Sequence, residues 1–251
     1  LLQHAFSNYT KSVSYIDLLD DYHNPRNRFL VWGKVIRDYL VNIKKIPEEQ
    51  VIVTGSPKYD SFKPIKKKNT KQKKILITLR PIIFHIEGLR TNLYNTYEKA
   101  LISIMAACKN LDNSEIIFKL HPQQNLHNEF FKDIIKDNFP EAKILQFDSI
   151  EKIFHECDLH INIASDNFDI SSVILEAMIL QKPTLNIQLQ TKEFDFELIR
   201  KNAIRSIMYD DDIQKEIKEL LYDKEKISQI LTNSKQCIRE YLSNHGNSSK
   251  S

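Results

Sequence analysis

Ile75-Leu76-Ile77-Thr78-Leu79-Arg80-Pro81 is the stretch on which the fold turns. Its first five residues are apolar or β-branched without alternation, as in a strand buried on both faces, and Pro81 stops it. A helix follows over about 93–109, with Leu93, Tyr97, Leu101, Ile104 and Cys108 on one stripe. Glu115-Ile116-Ile117-Phe118-Lys119-Leu120 is the next strand, ended by His121-Pro122, and Phe130 to Lys136 lies in a helix. The alternation continues through a strand from Ala142 to Phe147, a short helix opened by Ser149, and a strand at Leu159-His160-Ile161-Asn162-Ile163. A helix from Ser171 to Leu180 ends at Lys182-Pro183, and Thr184-Leu185-Asn186-Ile187 is a further strand. Regular βα order of this kind predicts an α/β fold: a doubly wound parallel sheet with helices on both faces, Rossmann-like.

Towards the N-terminus a smaller unit has the same grammar. Phe29-Leu30-Val31-Trp32 reads as a strand closed by Gly33, and Val35, Ile36, Tyr39, Leu40 and Ile43 are helically spaced. Val51-Ile52-Val53-Thr54 is a second strand, followed by Gly55-Ser56-Pro57-Lys58-Tyr59-Asp60, which reads as a hinge-like turn. The polar, basic run 66–74 reads as a solvated linker. The expected organisation is therefore an N-terminal remnant over 1–65, a linker over 66–74, a nucleotide-binding domain over 75–211, a helical segment over 212–242, and a disordered tail over 243–251.

The 251 residues are 41% hydrophobic and 27% charged, with a net charge of +3. That is ordinary globular composition, and the charge is too small to argue for nucleic acid. Cys108, Cys157 and Cys237 are widely spaced, which speaks against a disulfide scaffold or a zinc site and for a reducing, cytoplasmic setting. No run approaches the roughly 20 apolar residues of a membrane span. The sequence opens without Met, on what reads as the end of a strand, so it is expected to be a fragment. The chain has four glycines and neither GxGxxG nor GxxxxGK[ST], so any phosphate must be held by helix N-termini and side chains.

Ligands of doubly wound sheets bind beyond the C-terminal strand ends, and polar residues gather there. Arg80 could clamp a phosphate, or be a solvated loop arginine, with His85, Glu87 and Arg90 further along the same loop. His121, displayed after its strand, could hydrogen-bond a phosphate or take a proton, and Lys119 lies on the same side of that strand. Ser165 and Asp166 follow a strand. Asp169 is expected to cap the next helix, with Ser171 and Ser172 offering backbone N–H groups to an anion. Glu176, one turn further in, could accept from a ribose diol, or be an ordinary surface carboxylate. Near the start, Gln3-His4 follows Leu1-Leu2. If that pair is a strand, His4 faces the cleft and could act as general base towards an acceptor hydroxyl. Asp210-Asp211-Asp212 reads as a helix cap, so no metal site is expected.

Taken together, these motifs resemble those of GT-B surface-polysaccharide transferases. The residues from Val51 to Asp60, preceded by Trp32-Gly33 and a helix, are similar to the end of the N-terminal domain in those enzymes. Lys119-Leu120-His121-Pro122 and Asp169-Ile170-Ser171-Ser172-Val173-Ile174-Leu175-Glu176-Ala177, then Gln181-Lys182-Pro183-Thr184, resemble their donor-binding domain. CDP-glycerol glycerophosphotransferases carry a similar set, and non-hydrolysing UDP-GlcNAc 2-epimerases share the scaffold. The resemblance covers residues 1 to about 242. It implies a GT-B fold and glycosyl transfer from a UDP-, CMP- or CDP-linked donor to a polysaccharide or lipid-linked acceptor, without a further cofactor, at the inner face of the membrane. Carried over, His121 contacts the donor phosphates, Ser171 and Ser172 bind them at the helix start, Glu176 holds the ribose, and His4 is the acceptor-side base. Two residues depart from the pattern. Ala5 stands where a glycine is usual, and Glu176-Ala177 leans towards sugar transferases rather than glycerophosphate enzymes. The alternatives are CDP-glycerol-type polyol-phosphate transfer, an epimerase or hydrolase acting on UDP-GlcNAc, and a truncated, non-catalytic nucleotide-binding domain.

Overall fold

Three isoleucines and leucines in a row cannot be buried by a strand with one wet face, and Ile75, Leu76 and Ile77 are each fully buried. Their strand is central in a six-stranded parallel sheet. The computed structural model describes residues 28–65, 71–82, 90–123, 126–164, 171–189 and 196–250. Within them, β1 (Phe29–Val31) and β2 (Val51–Val53) form a small parallel pair. The large sheet comprises β3 (Lys73–Thr78), β4 (Ser114–Lys119), β5 (Lys143–Leu145), β6 (Leu159–Ala164), β7 (Thr184–Gln188) and β8 (Arg205–Met208), in spatial order β5-β4-β3-β6-β7-β8. Relabelled from β3, that is the 3-2-1-4-5-6 order of a dinucleotide-binding sheet, with the direction of winding reversing between β3 and β6.

Each face has its own helices. Towards α2 (Arg90–Lys109), α3 (Leu126–Asn138) and α7 (Ile213–Tyr222) the strands present Ile75, Ile77, Ile116, Phe118, Ile161 and Ile187. The stripe expected on α2, from Leu93 to Cys108, is buried at every position. The opposite face carries Leu76 and Ile117 against α4 (Ile150–Glu156), α5 (Ser172–Ile179) and α8 (Lys224–Tyr241). A short α6 (Glu197–Arg200) precedes β8.

The small unit is fastened to the large one by α8. Its helix α1 (Lys34–Asp38), continued by a wider turn over Tyr39–Ile43, packs on α8. A Cβ on Gly33 would lie 2.4 Å from the Tyr241 carbonyl group, so only glycine permits this approach. Gly55 has φ +85, and a Cβ there would meet Ser243 O and Ser248 Oγ at 2.3 Å.

Several expectations are revised. Lys73 and Lys74 open β3 rather than closing a linker, and Lys74 Nζ reaches Glu115 at 3.3 Å and Glu156 at 2.9 Å. The strand expected from Ala142 to Phe147 is limited to Lys143–Leu145. The helical segment 212–242 is two helices, broken at Asp223, whose side chain caps the second by accepting from Glu225 N and Lys226 N. Strand β8 was not anticipated: Arg205-Ser206-Ile207-Met208 is short and half polar, and Arg205 is held by a two-pronged contact with Glu216 at 2.7 and 2.8 Å.

Of the tail expected to be disordered, residues 243–250 fold back onto the small unit. Asp60 accepts backbone N–H bonds from Gly246, Ser248 and Ser249 at 2.9–3.1 Å, and His245 Nε2 donates to Tyr59 O at 2.7 Å. Burial would raise the Asp60 pKa, but hydrogen bonds from Ser249 and Ser248 outweigh it and lower the pKa to about 2.

Candidate functional site

The polar strand ends meet where the winding reverses. Arg80, Lys119, His121, Ser171, Ser172 and Glu176 all line one cavity of about 290 Å³, near the lower end of small-molecule pockets. Thr78, Asn162 and the β5 loop residues Gln146, Phe147 and Asp148 complete much of its wall. Of the other expected site residues, His4, Ser165 and Asp169 lie outside the described residues, as do His85, Glu87 and Asp166.

On one side the cavity offers donors. His121 Nδ1 accepts from Gln123 N at 3.2 Å, so the neutral ring carries its proton on Nε2. Burial, then the charges of Arg80 and Lys119, lower its pKa below the ordinary histidine value. At the start of α5 the N-cap is Ser171 rather than the expected Asp169. Its hydroxyl accepts from Val173 N at 3.4 Å, a long bond. The N–H groups of Ser171 and Ser172 take no partner among the described residues. They sit at the positive end of the helix.

Lys119 is more committed than its sequence position suggests. Its ammonium donates to Leu120 O at 3.1 Å and Gln146 O at 2.6 Å, tying the end of β4 to the loop after β5. Burial lowers its pKa, with Asp148 and Glu176 pulling the other way. One N–H remains of its three.

Glu176 is not a surface carboxylate. Its side chain is 5% exposed, and Lys58 Nζ, from the turn after β2, bonds its Oε1 at 3.0 Å. Burial raises the Glu176 pKa despite that pairing, whereas the Lys58 pKa ends above its ordinary value because Glu176 and Tyr59 outweigh its own burial. The turn read as a hinge therefore delivers a cation to the cavity wall.

Two buried polar chains run beneath the site. Thr78, Asn162, Asn186 and Ser206 lie side by side in register across β3, β6, β7 and β8. Asn162 Nδ2 donates to Asn186 Oδ1 at 2.7 Å, Asn186 Nδ2 to Ser206 Oγ at 3.1 Å, and Ser206 Oγ to Asn186 O at 3.4 Å. In the other chain Thr184 Oγ1 donates to Lys182 O at 3.3 Å, and the fully buried His160 ring spans Thr184 Oγ1 at 3.3 Å and Thr78 Oγ1 at 2.9 Å. Sequence reading missed Thr78, Asn162 and Lys58. A signal for the first two was present: a polar residue near the C-terminal end of an otherwise apolar strand, repeated in neighbouring strands.

No protein-family model matches the chain, and no curated protein matches it in sequence. In structure it is similar to a protein from Listeria monocytogenes described as a UDP-N-acetylglucosamine 2-epimerase, at 14% identity and a TM-score of 0.65, covering 98% of this chain and 64% of that one. S. aureus MnaA, in a structure with UDP, is 14% identical with a TM-score of 0.66, over 98% of this chain and 66% of its own. A glycosyltransferase from Rickettsia africae is 12% identical with a TM-score of 0.57, over 99% and 67%. The chain thus spans slightly less than two thirds of the length of the first two proteins. At such identities the likeness is one of fold, and the fold is of the GT-B glycosyltransferase type, Rossmann-like in its six-stranded unit.

Proposed function

We propose that this chain binds a nucleotide-activated sugar at the cavity between β3 and β6 and serves in glycosyl transfer from it. The observation that carries this reading is the convergence, at the point where a nucleotide-binding sheet reverses its winding, of Arg80, His121 Nε2–H and the N-terminus of α5. In the reaction, an acceptor oxygen forms a bond to the anomeric carbon of the sugar. The bond from that carbon to the diphosphate oxygen breaks, and the diphosphate leaves with the electron pair. Donors aimed at the diphosphate stabilise the negative charge it gains. The acceptor proton passes to a base, a role the motif resemblance gives to His4. A cell-surface polysaccharide precursor as acceptor rests on the same resemblance.

Solved structures of similar fold include proteins described as UDP-N-acetylglucosamine 2-epimerases, and the same cavity would serve an epimerase. Both readings require a nucleoside diphosphate here. Calorimetric titration with UDP, CDP, CMP and GDP tests that requirement, with one diphosphate expected to bind and Arg80→Ala to weaken it. Absence of binding by all four would leave a scaffold role. Product analysis with the nucleotide-sugar of the preferred base separates transfer from epimerisation.

A further inference from the structure

The two buried hydrogen-bond chains have a direction, and the direction is set by backbone. A main-chain carbonyl can only accept. Lys182 O therefore takes the Thr184 hydroxyl proton, which leaves Thr184 Oγ1 to accept from His160 Nδ1–H. A neutral His160 with its proton on Nδ1 has a bare Nε2, which accepts from the Thr78 hydroxyl. Thr78 has then spent its only proton, and its oxygen offers lone pairs. The second chain runs the same way. Asn186 O takes the Ser206 proton, Ser206 Oγ accepts from Asn186 Nδ2, and Asn186 Oδ1 accepts from Asn162 Nδ2. Inverting the Asn162 amide would set two carbonyl oxygens against each other. Its Oδ1 is therefore fixed as an acceptor, on a side chain that lines the cavity although Asn162 is only 2% exposed.

Both chains end on the wall of the same cavity, at Thr78 and Asn162, beside the Glu176 carboxylate. That wall offers acceptors and would repel phosphate. Building on the proposed function, we infer that the cavity is divided by hydrogen-bond polarity: Arg80, His121 and the start of α5 take the diphosphate, and Thr78, Asn162 and Glu176 form a floor selective for a hydroxyl-bearing ring. Asn162 is the specificity-determining residue of this floor. Asn186, Ser206, His160 and Thr184 are positioning residues that act through it or through Thr78. A buried acceptor left unmatched is costly, so such a floor discriminates strongly against a ligand without hydroxyls.

The test compares UDP and CDP with their 2′,3′-dideoxy analogues, and UDP-glucose with UDP, by calorimetry, with inorganic pyrophosphate reporting on the phosphate end alone. In the wild type the hydroxylated ligand is expected to bind about tenfold or more tightly than the dideoxy one. Asn162→Leu should bring that ratio close to one. Ser206→Ala, which frees the amides to invert, should reduce it about threefold or more. Pyrophosphate affinity should stay within about twofold in both variants. Should Asn162→Leu fail to fold, Ser206→Ala, on the edge strand, still carries the comparison. A change in the UDP-glucose ratio instead of the dideoxy ratio places the hydroxyls on the transferred group rather than the ribose and also supports the inference. Wild-type ratios retained in the folded variants, with pyrophosphate bound, would overturn the polar floor and leave the nucleotide site standing. If neither pyrophosphate nor any nucleotide binds the wild type, both readings fall.

Discussion

His121 and His160 show how one residue type acquires opposite roles from its surroundings. His121, partly exposed at the cavity wall, has its pKa lowered by burial and by the charges of Arg80 and Lys119. A bound diphosphate would favour its protonated form and raise that pKa. Affinity for the diphosphate should therefore gain from the imidazole as pH falls below neutral, and calorimetry of His121→Ala should show both a loss of about 1–3 kcal/mol and the absence of that gain. An unchanged profile in that variant would remove the imidazole from the site. His160, by contrast, is fully buried, and burial pushes its pKa down to about 3. The unfolded chain protonates this group near pH 6.5 and the folded protein does not. The stability it confers is thus fully present above about 6.5 and erodes below it, by up to about 1.4 kcal/mol per pH unit, until about pH 3. Denaturant midpoints measured between pH 7 and 4.5 should fall, and should fall less steeply in His160→Leu.

Helix and strand ends carry the next level of the argument. Asp212 is legible in the acidic run that reads as a helix cap, whereas the break at Asp223 is not; both cap their helices, Asp212 by accepting from Lys215 N at 2.9 Å. Asp223→Ala should cost about 1 kcal/mol, read in a urea titration, because two N–H groups at the start of α8 lose their acceptor. Residue preference alone points to Asp169 as the cap of α5, but the helix begins at Ser172, so the hydroxyl of Ser171 is the one in reach. Edge strand β8 escaped notice because four residues with two polar members carry little periodic signal. Its place is fixed by pairing with β7 and by the Arg205–Glu216 contact, neither of which is local in sequence.

Across the whole molecule, the contacts that hold the small unit include Gly33 against Tyr241, Asp60 against the chain after α8, and Lys58 against Glu176. Gly33→Ala should push α1 away from α8 and destabilise the protein by about 1–3 kcal/mol, measured by thermal or chemical unfolding. Asp60→Ala leaves three N–H groups without their acceptor, and amide exchange over 243–250 should accelerate with little change in the core strands. Composition marked 243–251 as disordered since nothing apolar anchors it. What orders it is a carboxylate nearly two hundred residues away. In the proposed nucleotide complex, Lys58 would report on the same coupling, because its partner Glu176 also belongs to the cavity wall.

The class of fold and most of the cavity's polar residues were legible in the chain alone, because burial leaves a periodic signature and sheet topology sends strand ends to one edge. Arg80, Lys119, His121, Ser171, Ser172 and Glu176 could be named from their places after strands and at a helix start. Tertiary structure alone decided what each of them does. Lys119 is largely engaged with two carbonyls, Glu176 is buried with Lys58, and Asn162 is aligned through Asn186 and Ser206. The reason is physical: a side chain's role depends on which donors and acceptors surround it, and here those come from strands and loops far apart along the chain.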